Sequence, residues 1–351
     1  MRAAVFYGGH DIRVEERELP EPGPGEVLVR VRAAGICGSD LHHYRSESPW
    51  ARRGPEESGH ELAGEVAALG PEVEALRVGQ RVGVEPEHLI GCGRCERCLA
   101  GDTHLCASRG RRGGAVHHSH GFSEFDACVA ENVHPLPDAV TLDAASILDC
   151  YACGVHAVHL VPPTPASTVV VIGTGAIGMT LAQVARSAGA GRIVIVGTRQ
   201  DPVELAVEAG IADAGVAAER GDPVEAVREA TGGGGADIVF ETVGGKGRTL
   251  TEAIEMSRRG GIVCVLGIFT GSPELPAQAA FSRELVLRWS NSYSRWNGVS
   301  EYQIALDLLA AGRLRAEPLI THHFPLEQVV DAFAAAADKR SSSAIKVLVH
   351  P

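Results

Sequence analysis

Residues Thr168 to Ile172 form a five-residue apolar strand pattern, Thr-Val-Val-Val-Ile, that runs directly into Gly173-Thr174-Gly175-Ala176-Ile177-Gly178. A G-x-G-x-x-G string alone says little, but one that follows an apolar strand and opens a helix has a mechanical meaning. The first glycine makes the tight turn and the second lets the backbone approach a pyrophosphate. The third allows close helix–strand packing, with the phosphates at the positive end of the helix. From there strands and helices alternate to about residue 290, with further strands expected at Arg192 to Val196, Ala236 to Phe240, Gly261 to Leu266 and Leu285 to Trp289. That rhythm specifies a parallel sheet covered on both faces, an α/β fold.

The rest of the chain reads differently. Up to about residue 150 it consists of short strands separated by Gly and Pro turns, as in Gly25 to Arg32 and Arg81 to Val84, which predicts an irregular β-rich domain. A helical stretch near Gly154 to His159 and the break Pro162-Pro163-Thr164-Pro165 precede the glycine loop. An amphipathic helix, Glu301 to Ala311, and a last strand, Ile345 to Val349, follow the α/β region. The expected division is a first domain over 1–155, with 291–351 returning to it, and a second over 156–290, in line with 351 residues. A formal charge of -12 argues against a nucleic-acid partner, since the basic cluster Arg109, Arg111, Arg112 is short and isolated. Met1 to Phe6 open directly into a strand pattern with no leader, and no stretch approaches the roughly 20 apolar residues that span a bilayer. A soluble, cytoplasmic protein with a small-molecule partner and no membrane association is expected.

Cys92, Cys95, Cys98 and Cys106 have the spacing C-x2-C-x2-C-x7-C, which lets one loop wrap a tetrahedral zinc. Four thiolates fill the coordination sphere, so this metal can only staple the loop. With nine cysteines in an intracellular chain, reduced thiols are expected rather than disulfides. A second set, Cys37, the pair His60-Glu61 and a later acidic or thiol residue, is too sparse for a closed site and suits a catalytic metal. His117, His118 and His120 have no neighbouring ligand cluster and read as a solvated loop, while Cys128, Cys153 and Cys264 read as small buried apolar residues. At the end of the strand after the glycine loop, an NAD site normally carries an acid for the ribose 2′-hydroxyl. Here Gly197-Thr198-Arg199 stands instead, so a 2′-phosphate meets no repulsion and two donors, which favours NADP over NAD. The alternative is a solvent-facing Arg199 with NAD bound, because Asp201 is close enough to neutralise the arginine or reach the ribose.

Together, Cys37-Gly-Ser-Asp-Leu-His42, Gly59-His-Glu-Leu-Ala-Gly-Glu-Val66, the four-cysteine loop and the glycine loop resemble the zinc-dependent medium-chain alcohol dehydrogenases, over essentially the whole chain. The resemblance implies a GroES-like catalytic domain built from both ends of the chain, a Rossmann domain between, and a homodimer or homotetramer. Cys37 and His60 match catalytic-zinc ligands, and Glu61 matches an acid that binds the metal or sits just behind it. Counting back from Gly154, Asp149 falls at the remaining ligand position, with Cys150 and Cys153 as competitors, since a shift of one residue turns a helical side chain by about 100 degrees. Ser39 and His42 match the proton relay, and the adjacent His43 would point elsewhere.

The Cys-Gly-Ser-Asp-x-His form with Glu61 and an acidic remaining ligand is similar to polyol, sugar and threonine dehydrogenases, so the expected reaction moves a hydride between a secondary alcohol and NAD(P). Tyr44, Trp50, Phe122, Tyr151 and Trp296 are candidate pocket lining. Arg45 to Glu57, with Arg52, Arg53, Glu56 and Glu57, departs from what simple sorbitol enzymes would show. Two other readings are a catalytically silent dinucleotide-binding sensor or scaffold, which the intact ligand set and relay disfavour, and a zinc-loop nucleic-acid binder, which the acidic charge disfavours.

Overall fold

The computed structural model describes residues 1–45, 55–112, 115–116 and 119–351, and the chain divides into two compact units. The first comprises Met1–Asp149, Ser294–Gly312 and Leu319–Pro351, and the second Cys150–Tyr293 with Arg313–Pro318.

The main sheet of the first unit runs in the order Val133–Pro135, Arg81–Val84, Glu61–Leu69, Glu26–Gly35, Lys346–His350, Ile320–Pro325, and Phe125–Val129 also pairs with Glu26–Gly35. The pairs are antiparallel except Ile320–Pro325 with Lys346–His350, which is parallel. Strand Lys346–His350 lies beside Glu26–Gly35, with Leu348 opposite Gly35, so the two ends of the chain share one core. Val27, Val29, Val31, Leu62, Val347 and Val349 fill that core with the helix residues Val329 and Phe333. Phe122 packs edge-on to Phe333 with ring centroids 5.5 Å apart, and Tyr44 also touches Phe333 at 5.5 Å. Tyr44 and Phe122 are therefore core residues and not pocket lining, a correction that follows from their burial in an aromatic cluster.

The second unit is a six-stranded parallel sheet in the order Ala214–Ala217, Arg192–Gly197, Thr168–Ile172, Ala236–Glu241, Ser257–Val265, Val286–Trp289. Numbered within the unit this is 3-2-1-4-5-6, the doubly wound dinucleotide-binding order, whose direction reverses between the first and fourth strands. Val169, Val170 and Val171 are all fully buried, which is why this strand reads as a continuous apolar run rather than an alternating one. Tyr151 also belongs inside this unit: it is fully buried and its hydroxyl donates to the Arg315 carbonyl at 2.8 Å, so it too is removed from the candidate pocket. Trp296 is exposed. Trp50, Arg52, Arg53, His117 and His118 lie outside the described residues. Among the described residues no helix is long and apolar enough to cross a membrane.

Candidate active site

The glycine loop sits where the sheet order reverses. Gly173 has φ +123°, a region that side-chain-bearing residues avoid, and its amide donates to the Val196 carbonyl at 2.7 Å. Gly178, in the first turn of helix Ala176–Ser187, passes so close to the loop that a Cβ would stand 1.9 Å from the Gly173 carbonyl oxygen. Gly175 is the N-cap of that helix, which leaves the first-turn N–H groups of Ala176 and Ile177 without intrahelical acceptors, the feature by which a helix start can bind a phosphate. Thr174 packs on the next strand: a Cβ at Gly197 would lie 2.6 Å from its Cγ2 and 2.9 Å from Val203. The glycine at 197 is thus a packing requirement, and an acidic side chain there is sterically disfavoured. Arg199 is the N-cap of helix Gln200–Glu208, and Thr198 is exposed beside it. The Gln200 amide at the same helix start donates to the Glu219 carboxylate at 2.7 Å.

In the first unit, Cys37 begins the helix Gly38–Tyr44, and its amide donates to the Asp40 carboxylate at 2.9 Å, a capping contact that fixes the turn. Ser39 and His42, three positions apart, share a face of that helix and are both half-buried. His60 precedes the strand Glu61–Leu69, and Asp149 lies in the first turn of Leu148–Leu160. One donor atom from each of Cys37, His60, Glu61 and Asp149 lies within 4.8 Å of the others. Cys150, the competing thiol, is buried and outside this group, and its carbonyl accepts a hydrogen bond from Thr180 at 3.1 Å.

The electrostatics suit a cation. Burial opposes a charged His60, but the Cys37 sulfur, and after it Asp40 and Asp149, outweigh that and hold its pKa well above the ordinary value. The same convergence of negative groups that retains a proton would retain a divalent metal.

Two residues that sequence reasoning left without a role shape this site. Asp40, buried behind the ligands, has its carboxylate 3.9 Å from His60 Nδ1. Lys346, on the returning strand, is buried and donates to both oxygens of Glu61, at 2.8 and 2.5 Å. Its Nζ also donates to the Ile36 carbonyl at 3.1 Å. Glu61 is therefore engaged from behind by a lysine, an arrangement suited to an acid just outside the coordination sphere. Gly35 makes room for it, since a Cβ there would stand 2.2 Å from Glu61 Oε2. The signal for Lys346 was present in the text: a single charge opening the apolar run Lys-Val-Leu-Val demands a buried partner.

The four thiols of the loop also converge. Cys95 Sγ lies 3.5 Å from Cys98 and 3.8 Å from Cys106, and Cys92 lies 4.0 Å from Cys98. Zn–S bonds of about 2.3 Å in a tetrahedron put sulfurs roughly 3.8 Å apart, so the set fits zinc. In this thiol set backbone N–H groups of Arg94 and Cys95 lower the Cys92 thiol to about 6 while burial pushes Cys98 up to about 12, so the set shares its protons with the first lost from Cys92. The loop is tied down by Thr103, whose amide donates to Ser294 Oγ at 2.9 Å.

Elsewhere, Cys128 and Cys264 are fully buried and Cys153 is half-buried. His120 does lie in a loop with its side chain 37% exposed, but it is anchored there: its amide donates to Asp126 at 2.8 Å and its ring nitrogen lies 3.2 Å from the other oxygen of that buried carboxylate.

Residues 23–138 match the alcohol dehydrogenase GroES-like domain, and residues 176–311 match the zinc-binding dehydrogenase domain. The chain is 34% identical to a sorbitol dehydrogenase from Halalkalibacterium halodurans over 98% of its length and 97% of that protein. A zinc-binding dehydrogenase from Sinorhizobium meliloti 1021 bound to NADP superposes with TM-score 0.87 at 30% identity, covering 100% of this chain and 99% of that one. An alcohol dehydrogenase from Escherichia coli CFT073 complexed with NADH gives TM-score 0.87 at 28% identity, with coverage of 100% and 99%. The chain belongs to the zinc-dependent medium-chain alcohol dehydrogenases, with a GroES-like domain and a Rossmann sheet. Within that family it is an oxidoreductase that moves a hydride between an alcohol and a nicotinamide dinucleotide.

Proposed function

We propose that the substrate is a polyol, sugar or related secondary alcohol, oxidised at a zinc held by Cys37, His60 and Asp149. The observation that carries the site assignment is the convergence of these ligand atoms with Glu61, separate from the four-thiol loop. When bound, zinc supplies Lewis acidity that lowers the pKa of the alcohol, and the dinucleotide supplies the hydride acceptor. Ser39 takes the proton of the substrate hydroxyl and passes it toward His42, which shares its helix face. Asp40 accepts from the Cys37 amide and adds negative charge near His60, and Lys346 holds Glu61 behind the ligands. The Gly173 to Gly178 loop holds the pyrophosphate, and Cys92, Cys95, Cys98 and Cys106 hold a structural zinc. The polyol class is supported by the sorbitol dehydrogenase relatives and by the acidic Asp149 in place of a second thiolate.

NADP is the proposed cofactor, supported by the absence of an acid at Gly197 and the donors Thr198 and Arg199 at a helix start. A charge-assisted contact from Arg199 to a 2′-phosphate is worth about 1.5–3 kcal/mol, or about 10- to 150-fold in cofactor discrimination. One experiment tests both parts: kcat/KM for a panel of polyols, sugars and simple secondary alcohols with NAD and NADP. The expected result is polyol-dependent reduction with NADP preferred, and an Arg199→Ala variant that loses the preference by raising KM for NADP alone. A preference for NAD would transfer the ribose contact to Glu219, whose carboxylate already sits at that helix start. Absence of turnover with every alcohol would revive the silent sensor.

A cytoplasmic setting is supported by nine free cysteines, which an oxidising compartment would cross-link. A homodimer or homotetramer is supported by the edge strand Val286–Trp289, whose Val286 and Trp289 are exposed. Sedimentation equilibrium giving the mass of a single chain would sink that part.

A further inference from the structure

A second cluster of ligand-type side chains lies in the first unit, outside the site just described. Asp143 is in the first turn of helix Leu142–Ser146, which is capped by the Thr141 side chain. His323 and His350 come from the adjacent parallel strands Ile320–Pro325 and Lys346–His350. Their rings stack at 20° with His323 Nδ1 3.0 Å from His350 Nε2. The Asp143 oxygens lie 3.7 Å from His323 Nδ1 and 3.9 Å from His350 Nδ1, too far for a hydrogen bond to either. One donor atom from each of the three lies within 4.8 Å of the others.

The tautomers follow from the neighbours. His350 Nδ1 donates to the Arg32 carbonyl at 2.9 Å, so in the neutral ring Nε2 carries the lone pair. That lone pair faces His323 Nδ1. A ring nitrogen that donates to a backbone carbonyl while the other nitrogen faces a cluster is the usual support of a metal-bound histidine. Two nitrogens on one ion at about 2.1 Å, with an angle of about 90–110°, stand roughly 3.0–3.4 Å apart, which the observed separation meets. A shared hydrogen between the rings leaves the carboxylate outside the network, whereas a cation between the three engages all of them.

We propose that Asp143, His323 and His350 form a third metal site, for zinc or another borderline divalent cation that imidazole and carboxylate accept together. The side chains are 38%, 50% and 33% exposed, so the site keeps open positions to water and loads reversibly from solution. It is a clip and not a reaction centre. Asp143 lies in helix Leu142–Ser146, just before the separate helix Leu148–Leu160 that carries Asp149, and His350 ends the strand that carries Lys346, so an ion here ties that strand to the helix preceding Asp149. The inference does not depend on the substrate or on the cofactor.

The test uses the holoenzyme dialysed to its resident zinc and then equilibrated with micromolar free Zn2+. Bound zinc is counted by elemental analysis after rapid desalting, alongside Tm. The wild type should take up one equivalent more than the dialysed enzyme and melt higher. The double variant His323→Gln/His350→Gln and the near-isosteric Asp143→Asn should take up none and show no zinc-dependent rise in Tm, with turnover unchanged. If the wild type takes up no further zinc, or the variants take up as much as it does, the site is overturned.

Discussion

Cys37→Ser should abolish alcohol oxidation while leaving the enzyme folded, and Cys95→Ser should do the opposite. Cys37 opens the helix that carries Ser39, and its sulfur is one of the groups that raise the pKa of His60, so exchanging thiol for hydroxyl would weaken the proposed metal centre itself. Lewis-acid stabilisation of several kcal/mol corresponds to a loss of roughly 10^3-fold in kcat. Cys95, by contrast, lies 3.5 Å from Cys98 and 3.8 Å from Cys106 in a set that closes on itself, and the zinc proposed there would contribute folding energy only. Its replacement should lower Tm and expose the loop around residues 92–106 to protease. A pair of variants that both fold and both turn over normally would remove both assignments.

Lys346→Met should be the most destabilising single change at the site. Lys346 and Glu61 are an ion pair with side-chain exposures of 2% and 0%, and removing one partner strands the other charge. Breaking such a pair costs about 3–5 kcal/mol, whereas replacing both partners with groups of similar shape is often neutral. The double variant Glu61→Gln/Lys346→Met should therefore recover most of the loss in urea denaturation. A single-variant loss below about 1 kcal/mol, the range of exposed pairs, would mean that the pair opens to solvent.

These two experiments also mark where the text of the chain was readable. The parallel sheet was legible because Thr168–Ile172 is buried on both faces and so has no polar positions to interrupt it. The strand Ala214–Ala217 was not, because Ala-Gly-Val-Ala carries neither alternation nor bulk. The thiol loop was legible from spacing alone. Lys346 was not assigned a role because its partner is 285 residues away, and only the returning strand brings them together. Spacing from Gly154 favoured Asp149 but left Cys150 as a competitor, since neighbouring helical positions differ by a rotation that only the fold sets. Tyr44, Phe122 and Tyr151 looked like pocket aromatics because composition does not distinguish a lining ring from a packed one.

Zinc content measured with turnover on the same preparations tests the metal at Cys37, His60 and Asp149 most directly. After dialysis the wild type should hold two zinc ions per chain. Asp149→Ala should hold one and lose turnover, and Cys150→Ala should keep both ions and remain active. An Asp149→Ala enzyme that keeps two zinc ions and oxidises alcohol at the wild-type rate, with Cys150→Ala losing both the ion and the rate, would contradict it.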